Sequence, residues 1–344
     1  MQAVHITAHG DPDVLSIVDI PRPVAGPGQV LVRVLAISLN HLDLFVRRGM
    51  PGMPIPLPRI PGCDGTGEIA ALGDGVDDIA IGTQVVIEPG YSSGKSRHDL
   101  AGMDHLSDDY SIRGEHCDGL ACEYVALDRR FVFPLPAQLD PVDAAAVPLV
   151  FLTAWGLLVT RAQLQRDETV LVIGGASGVG SAAIQIARDR GARVLATAGS
   201  QEKRDLCLEL GADAAIDHGH DQWDREVKRL TDGRGVDVVV EHVGPATWDR
   251  SMRSLARNGR LVTCGATTGP KVSVVLPHLF IKNLTIYGST MGPRNALRVI
   301  FDKVAQGNYR PVIDHVMPLS QVRAAHELLE SRKVSGKIVL KPGS

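Results

Sequence analysis

The amino-acid sequence predicts an α/β protein in which a doubly wound parallel sheet is joined to a β-rich domain, and three observations support this prediction. The chain has 344 residues, which is enough for about two domains. From about residue 165 onward, short apolar runs alternate with helical patterns at nearly even spacing, which indicates a parallel sheet with helices on both faces. Residues 1 to about 130 instead carry short apolar runs separated by Pro and Gly, which is typical of short strands and turns.

The predicted elements follow one another in a regular order. The first domain contains strands such as QVLVRVLAIS and TQVVIEP. The apolar run Ala144–Val159 is 16 residues long and contains Pro148 and Gly156, so it predicts a buried helix and is too short to cross a bilayer. The strands of the parallel sheet are then TVLVIGG, ARVLATA, DAAIDH, VDVVVEHVG, GRLVTCG and LTIYGS. RNALRVIFDKVAQG predicts one more helix, and the tail VIDHVMPLSQVRAAHELLESRKVSGKIVLKP predicts a strand, a helix and a strand that return to the first domain.

Charge and composition argue against several classes of partner. The net charge of -3 gives no electrostatic reason to expect nucleic acid or an anionic membrane, and an aromatic content of 4% argues against a base-stacking surface. The five cysteines form no CxxC pair, which favours free thiols in a reducing compartment. The start, MQAVHITAHG, has neither a basic n-region nor an apolar h-region, so we expect no signal peptide and a cytoplasmic protein.

A glycine-rich loop follows the first strand of the alternating region, in VIGGASGVGSAAIQIARDRG. Gly175, Ser177 and Gly180 form the fingerprint G-x-G-x-x-G with serine at the middle glycine, and Gly178 and Val179 complete the loop. The glycines permit a tight turn, and the N-terminus of the following helix offers free N–H groups to a pyrophosphate. The strand–loop–helix context therefore predicts a dinucleotide site, with a ligand-free turn as the alternative.

The end of the next strand indicates which dinucleotide is bound. An NAD site usually has Asp or Glu here, on the ribose 2′-OH. This chain has Ala198, followed by Gly199 and Ser200, and then Lys203 and Arg204 one helical turn later. A cation at that distance can pair with a 2′-phosphate, so we predict NADPH, with a solvated helix start as the alternative explanation of the two cations.

The order of motifs resembles the medium-chain dehydrogenase/reductase superfamily, and within it the quinone oxidoreductase-like branch related to zinc-type alcohol dehydrogenases. The motifs are VRVLAISLNHLDLFVRRG, PRIPGCDGTGEIAALGDGV, FLTAWGLL, ETVLVIGGASGVGSAAIQIA and SGKIVL. The resemblance implies a Rossmann dinucleotide-binding domain over residues 150–291 and a GroES-like catalytic domain over residues 1–149 and 292–344. It also implies a homodimer, with a tetramer as the alternative, and we expect the strand at Leu284–Ser289 to be an exposed edge suited to pairing with a second subunit.

Most zinc ligands of the zinc-type relatives are replaced at the matching positions by residues that bind zinc poorly. The catalytic ligands of those relatives fall on Asn40, Cys63 and about Leu149. Of these three residues only Cys63, through its thiol, is a good zinc ligand. The four cysteines of the structural-zinc lobe, spaced C-x2-C-x2-C-x7-C, fall on Ser93, Ser96, Asp99 and Ser107. We therefore expect no metal, with a site improvised from His41 and Asp64 as the alternative. His98 and His105 lie off the ligand positions, and we expect both on the surface.

The resemblance also assigns candidate site residues. Asn40 and Asp43 match the N-x-x-D element of the zinc-free branch, Thr153 lies in a turn near the nicotinamide, and Phe45 replaces a tyrosine that is common in the branch. His41 is either a proton donor or a structural histidine. Further cofactor contacts are expected at the 2′-phosphate, at the pyrophosphate and at strand ends that face the ligand crevice, namely His218 and Arg332, Lys337, and Val243, Gly244 and Gly265.

These residues together predict a zinc-independent, NADPH-dependent oxidoreductase that transfers hydride to quinones or α,β-unsaturated carbonyl compounds. Without a Lewis acid, alcohol oxidation loses its usual route to an alkoxide, whereas hydride transfer to an activated carbon needs less assistance. Two alternatives stay open: a zinc-dependent alcohol dehydrogenase with improvised ligands, and a redox-silent NADPH-binding protein.

Overall fold

The computed structural model describes residues 1–50 and 52–343, which form two compact units. One unit comprises Met1–Leu149 and Pro311–Ser344, and the other comprises Val150–Arg310. The strands are, in chain order, β1 (Gln2–Ile6), β2 (Leu15–Asp19), β3 (Gln29–Ser38), β4 (Asp64–Leu72), β5 (Gln84–Ile87), β6 (Gly90–Tyr91), β7 (Ser111–Ile112), β8 (Tyr124–Asp128), β9 (Val132–Pro134), β10 (Thr169–Val172), β11 (Arg193–Ala198), β12 (Ala214–Asp217), β13 (Val236–Glu241), β14 (Leu255–Thr263), β15 (Thr285–Gly288), β16 (Ile313–Pro318) and β17 (Lys337–Lys341).

The helices occur in both units. They are α1 (His41–Arg48), α2 (Arg97–Leu100), α3 (Pro141–Ala145), α4 (Pro148–Trp155), α5 (Gly178–Asp189), α6 (Gln201–Glu209), α7 (Trp223–Leu230), α8 (Trp248–Ser254), α9 (Leu276–Ile281), α10 (Ala296–Ala305) and α11 (Val322–Glu330). Of these, α5 to α9 lie between the strands of the second unit. The apolar run predicted as one buried helix begins at the end of α3, and most of it forms α4 and the π-helix Gly156–Arg161 that continues α4. Over the described stretches of the chain, no helix is both long and apolar enough to span a membrane.

The first unit is built on a mainly antiparallel sheet with the order β16-β17-β3-β4-β5-β9, and β8 pairs with β3 as well. The alternating sequence of β3 places Val30, Val32 and Val34 in the core, where they pack with residues such as Ile69 and Val85. The C-terminal tail forms the predicted strand, helix and strand, and β17 pairs antiparallel with β3, so the chain returns to the first unit as expected.

The second unit contains a six-stranded sheet that is parallel throughout, in the order β12-β11-β10-β13-β14-β15. All six predicted strands are present, and β15 lies at the edge, as expected for LTIYGS. The order reverses between β11 and β13 on either side of β10, which is the switch point at which doubly wound sheets bind ligands. Apart from Thr169, Asp237 and Glu241, the strands β10 and β13 are apolar, and they are mostly buried because helices cover a parallel sheet on both faces. The predicted Rossmann architecture is confirmed.

The second domain boundary differs from the prediction. Residues 292–310 were expected in the catalytic domain, but the structure places them in the nucleotide unit. The reason is packing: Leu297, Ile300 and Phe301 of α10 are buried, and Tyr309 stacks on Phe151 with ring centroids 5.6 Å apart. A helix pattern shows that α10 is amphipathic, but the pattern does not show which core receives its apolar face.

Candidate active site and nucleotide-binding loop

Three chain segments meet in a buried polar cluster within the first unit. Asn40 lies just after β3, Cys63 and Asp64 lie at the start of β4, and Lys337 begins β17. The sheet register brings them together, because Ser38 of β3 pairs with both Asp64 and Val339. We call Asn40, Asp43, Cys63, Asp64 and Lys337 the buried cluster.

An ion pair lies at the centre of the buried cluster. Lys337 Nζ donates to Asn40 Oδ1 and lies 3.3 Å from Asp64 Oδ2, and the two charged residues are 3% and 0% exposed. Asp64 accepts two further hydrogen bonds, at 2.9 Å from Asn40 Nδ2 and at 2.8 Å from the backbone N–H of Leu149. Burial raises the pKa of Asp64, and Lys337 and Asn40 oppose that rise. Each charge in this pair therefore has a partner of opposite sign and additional hydrogen bonds.

Asn40 is held on every side by protein groups. Its Nδ2 lies 2.9 Å from Asp64 Oδ2, 3.2 Å from Ser38 O and 3.4 Å from Cys63 Sγ, while Oδ1 accepts from Lys337. Since the two amide hydrogens have these acceptors, the geometry gives Asn40 a positioning role in the cluster. Its predicted role as a donor to a substrate oxygen stays a prediction.

Asp43 ties two loops together. Its carboxylate accepts from the backbone N–H of Asn40 at 2.8 Å and from that of Gly62 at 2.9 Å, so it caps α1 and fixes the turn that precedes Cys63. Burial raises the pKa of Asp43 to about 6, although both backbone N–H groups and Lys337 oppose the rise. The Asp43 carboxyl group therefore ionises around pH 6 instead of near pH 4.

The other predicted residues around α1 differ in exposure. His41 begins the helix and is exposed, and Phe45 is half-buried. Cys63 is fully buried, and burial together with the neighbouring Asp43 and Asp64 raises the pKa of its thiol well above the ordinary value. The Cys63 side chain is accordingly a thiol, because the thiolate is disfavoured on all these counts.

The lobe at Gly90–Ser107 is closed by a network of hydroxyls and carboxylates. Ser107 Oγ lies 2.9 Å from Ser96 Oγ, 3.2 Å from Asp99 Oδ2 and 2.6 Å from Asp109 Oδ1. Asp109 also accepts from the backbone N–H of Ser93 at 3.0 Å. The four residues at the positions of the relatives' cysteines are thus joined, directly or through Asp109, in one hydrogen-bonded network.

Asp99 is the centre of this network in the lobe. It caps α2 through the backbone N–H of Ser96, and its side chain also accepts from Ser92. Although partial burial opposes the change, hydrogen bonds from Ser92, Ser96 and Ser107 lower the pKa of Asp99 to about 2. His98 is half-buried beside this turn, and His105 is only 4% exposed, so the expectation of a surface position is wrong for His105.

The glycine-rich loop of the second unit has the geometry that a phosphate requires. Gly174 has a φ of 64°, and a Cβ at Gly175 would lie 2.7 Å from Cys207 Sγ and 2.9 Å from Ala196 Cβ. A Cβ at Gly180 would lie 2.2 Å from the carbonyl oxygen of Gly174, so the helix packs on the turn only with glycine. Ser177 caps α5 by accepting from the N–H of Gly180 at 3.0 Å. Ser177, Gly178 and Val179 stay half-buried, so the helix N-terminus can accept a pyrophosphate.

The end of β11 carries the expected small residues and an unexpected acid nearby. Ser200 caps α6 by accepting from the N–H of Lys203 at 3.3 Å. Asp217 pairs in register with Ala198 on the neighbouring strand, and it forms a 3.1 Å salt bridge with Arg204. Asp217 cannot be recognised from the sequence as a neighbour of Ala198, because it ends a different strand and only the pairing register of β11 and β12 brings the two residues together.

Known proteins match this chain over nearly its whole length. Residues 26–137 match the model for the alcohol dehydrogenase GroES-like domain, and residues 178–306 match the model for zinc-binding dehydrogenases. A quinone oxidoreductase of Pseudomonas aeruginosa is 31% identical and covers 98% of this chain and 99% of its own. The chain belongs to the medium-chain dehydrogenase/reductase superfamily.

Two solved structures of that superfamily show a similar fold. An NAD-dependent alcohol dehydrogenase is 43% identical, with a TM-score of 0.96 and full coverage of both chains. A crotonyl-CoA carboxylase/reductase in complex with NADP is 26% identical, with a TM-score of 0.90, and the match covers 99% of this chain and 94% of that one. Members of the superfamily bind NAD(P), and the glycine-rich loop of this chain fits such a dinucleotide.

The zinc that the superfamily's zinc-type members use finds a poor donor set in the buried cluster. Zinc requires deprotonated ligands, but burial keeps Cys63 as a thiol and Asp64 is already paired with an ammonium. Asn40 turns its amide nitrogen, a donor, toward Cys63. Within residues 1–50 and 52–343, no group of three or more His, Cys, Asp or Glu side chains is placed to hold a metal ion.

Three further predicted site residues lie in different surroundings. Thr153 is buried in α4 of the nucleotide unit, with its Oγ1 3.7 Å from Met291 Sδ. Lys337 belongs to the buried cluster, and its contacts there account for it without a pyrophosphate. Arg332 is exposed and has a φ of 59° just beyond α11. The expected contacts of these three residues with nicotinamide, pyrophosphate and 2′-phosphate stay predictions.

The strand ends of the nucleotide unit are organised by a buried acid that the sequence did not single out. Glu241 accepts from the backbone N–H groups of Val243 and Gly244, at 2.7 and 3.0 Å, and from the hydroxyls of Thr247 and Ser251. These bonds fix the turn after β13, where Val243 was predicted to contact the cofactor. Gly265 packs against this turn, since a Cβ there would lie 2.9 Å from His242 O.

His218 lies close to the end of β11. Its Nδ1 is 3.0 Å from Thr197 Oγ1, and a Cβ at Gly199 would lie 3.1 Å from its Nε2. Burial lowers the pKa of His218, although the neighbouring Asp217 opposes the shift. His218 is therefore placed beside the predicted ribose position as a mainly neutral ring.

Proposed function

We propose that this protein is a zinc-independent, NADPH-dependent oxidoreductase that transfers hydride to quinones or α,β-unsaturated carbonyl compounds. The observation that supports it best is the buried Lys337–Asp64 ion pair, which is hydrogen-bonded to Asn40, a residue that matches a catalytic zinc ligand of the zinc-type relatives. An internal ammonium replaces an external cation as the positive charge of the cluster. Alcohol oxidation depends on a Lewis acid to form the alkoxide, whereas reduction of an activated C=C bond or quinone does not.

The chemistry divides between cofactor and protein. When bound, NADPH supplies the hydride, which an enone accepts at its β-carbon, and the π electrons move to the carbonyl oxygen to give an enolate that takes its proton from water. The protein must bind both reactants and avoid repelling the developing negative charge. The buried cluster meets that need because its carboxylates are compensated, Asp64 by Lys337 and Asp43 by two backbone N–H groups.

The preference for NADPH rests on the small residues at the end of β11 and on the two cations that follow. Neither Ala198 nor Ser200 can repel a 2′-phosphate, and Lys203 and Arg204 lie in the first turn of α6. Asp217 neutralises part of this field through its salt bridge with Arg204. We therefore expect a preference of about tenfold for NADPH over NADH, which one charge-assisted hydrogen bond supplies, and we expect K203A to reduce it.

A second candidate is an alcohol dehydrogenase. The 43% identity with an NAD-dependent alcohol dehydrogenase favours it. This function requires either a metal held by improvised ligands or a different way of polarising the alcohol. A third candidate is a redox-silent NADPH-binding protein. It requires that the glycine-rich loop bind NADPH and that the protein convert no substrate.

One set of measurements separates the three candidates. Purified protein is assayed for oxidation of NADPH and NADH with a panel of quinones, enones and enoyl thioesters, and in the reverse direction with alcohols, while its metal content is measured. We expect turnover of quinones or enones at less than a tenth of a zinc per chain. About one tightly bound zinc per chain together with alcohol oxidation would establish the second candidate. Tight NADPH binding without any turnover would establish the third.

We further propose a cytoplasmic homodimer formed through the nucleotide unit. The described cysteines are all free thiols, which suits a reducing compartment. The edge strand β15 has no partner strand on its outer side among the described residues. Close by in sequence, α9 and the segment before it expose Val275, Leu276, Phe280 and Ile281, with Phe280 65% exposed. A sheet edge flanked by exposed apolar side chains is suited to pairing with a second copy.

A further inference from the structure

His242 lies behind the glycine-rich loop and contacts its serine. The residue follows β13, its ring is half-buried, and its Nε2 lies 3.0 Å from Ser177 Oγ. A Cβ at Gly174 would lie only 3.4 Å from the same nitrogen, so the ring packs directly on the turn. His242 thus connects the end of β13 with the phosphate loop that follows β10, its neighbour in the sheet.

The hydrogen-bond inventory of this pair decides where the protons lie. Ser177 Oγ already accepts from the N–H of Gly180, and the other ring nitrogen of His242, Nδ1, is buried without a hydrogen-bond partner among the described residues. If Nδ1 carried the proton, a buried N–H donor would be unsatisfied, which is the costlier kind of orphan. If Nε2 carries it, the ring donates to Ser177 Oγ and only a lone pair is unsatisfied. Burial lowers the pKa of His242, which is consistent with a neutral ring.

The second arrangement has a consequence for the serine hydroxyl. Ser177 Oγ then accepts two hydrogen bonds, from Gly180 and from His242, so its own hydrogen has no internal acceptor among these contacts. Ser177 is half-buried at the start of α5, where the N-terminus of the helix favours an anion. We propose that His242 is a positioning residue for dinucleotide binding, which directs the hydroxyl hydrogen of Ser177 to a phosphate oxygen of the cofactor.

This inference rests on the proposed function only in its dinucleotide-binding part and does not depend on the substrate. It gives the serine of the fingerprint a purpose that a glycine lacks. The middle glycine of the fingerprint lets the backbone approach the pyrophosphate, whereas Ser177 offers a charge-assisted hydrogen bond whose direction His242 sets.

A double-mutant cycle on NADPH affinity tests the pair. Dissociation constants for NADPH are measured by nicotinamide fluorescence and by calorimetry, without substrate, for the wild type, S177G, H242F and S177G/H242F. We expect S177G and H242F each to weaken binding about tenfold, the value of one hydrogen bond to a charged group, and H242F to have less than a twofold effect when it is added to S177G. Glycine is chosen as the replacement because it is well tolerated as a helix cap, so thermal stability should change little.

Two further measurements separate a positioning role from a merely structural one. H242Q should recover most of the lost affinity, because its amide N–H can replace Nε2–H, whereas H242F has the ring but no donor. Long-range ¹⁵N–¹H spectra should show the Nε2–H tautomer for the signal that disappears in H242Q.

Equal effects of H242F in the wild-type and S177G backgrounds, or an Nδ1–H tautomer, would overturn the proposal and leave the proposed reductase function untouched. Failure of the wild type to bind NADPH or NADH at all would overturn both. Binding of NADPH without turnover of any substrate would instead refute only the reductase function.

Discussion

Replacement of Lys337 by Met removes the positive charge from the buried cluster and leaves Asp64 without its counter-ion. Both residues are at most 3% exposed, so water cannot take the place of the ammonium. Removing one partner of a buried pair typically costs about 3–5 kcal/mol, and we expect K337M to lower the unfolding free energy by that amount at pH 8. The exposed Lys333, in the turn before β17, provides the control K333M, for which we expect a change within about 0.5 kcal/mol.

The cost of K337M should depend on pH, and its sign follows from Asp64. Burial raises the pKa of this carboxyl, and loss of Lys337 raises it further. A group with a raised folded-state pKa contributes stability that is present below its unfolded-state pKa and is lost as the pH rises through the folded-state value. The difference between K337M and the wild type should therefore be smallest near pH 5 and grow toward pH 8. D64N, added to K337M, should recover more than 1 kcal/mol at pH 8 because it removes the unpaired charge.

The distribution of tryptophans allows the loss to be assigned to one unit. Trp155, Trp223 and Trp248 all lie in the nucleotide unit, so tryptophan fluorescence reports on that unit, while far-UV circular dichroism reports on both. In urea titrations, K337M should shift the dichroism transition to lower urea and leave the fluorescence transition nearly in place. A cost below about 1 kcal/mol, a cost independent of pH, or an equal shift in both signals would refute the assignment of Lys337 to the buried ion pair.

Three other outcomes follow from the structure. The pKa of the Asp43 carboxyl is about 6 in the folded protein against an ordinary value of 3.8, so its ionisation destabilises the wild type by up to about 3 kcal/mol between pH 4 and pH 7. The unfolding free energy of D43N, which cannot ionise, should rise relative to the wild type by that amount over the same range. A difference that does not change with pH would contradict this. F280D should convert the proposed dimer into monomers in size-exclusion chromatography, whereas V316D, at a comparably exposed site of the first unit, should not; an unchanged elution of F280D would contradict a dimer interface at α9. S107A should speed tryptic cleavage after Lys95 and Arg97 several-fold, and S111A is the control. EDTA should not change the cleavage of the wild type. Protection of the wild type that EDTA abolishes would show that a metal holds the lobe.

The fold of the nucleotide unit could be predicted because its information is local. Each strand of a parallel sheet is a short apolar run bounded by a helix, so the six strands and their type follow from the sequence alone. The assignment of α10 to a unit could not be predicted in the same way. Its apolar face would suit either core, and the stacking of Tyr309 on Phe151 that decides the matter joins residues far apart in sequence.

The buried cluster shows where inference from sequence stops. Asn40 and Lys337 are 297 positions apart, and their contact depends on β17 pairing with β3 rather than with another strand. The sequence pattern therefore indicates for Lys337 only a cation near the pyrophosphate. Asp217 was missed for the same physical reason, since its place beside Ala198 is a property of strand order and register.

The two places that match the metal sites of zinc-type relatives contain polar networks of different kinds. In the buried cluster, an ammonium supplies the charge and its oxygen partners are a carboxylate and an amide. In the lobe, the carboxylates of Asp99 and Asp109 are held by hydroxyls and backbone N–H groups instead. The difference follows from burial, because the ionised carboxylate of Asp64 at 0% exposure needs a counter-ion, whereas the half-buried Asp99 and the exposed Asp109 are sufficiently stabilised by hydrogen bonds and water. Restoring a single cysteine at Asn40 or Ser107 would therefore break a satisfied network in either place without completing a set of zinc ligands.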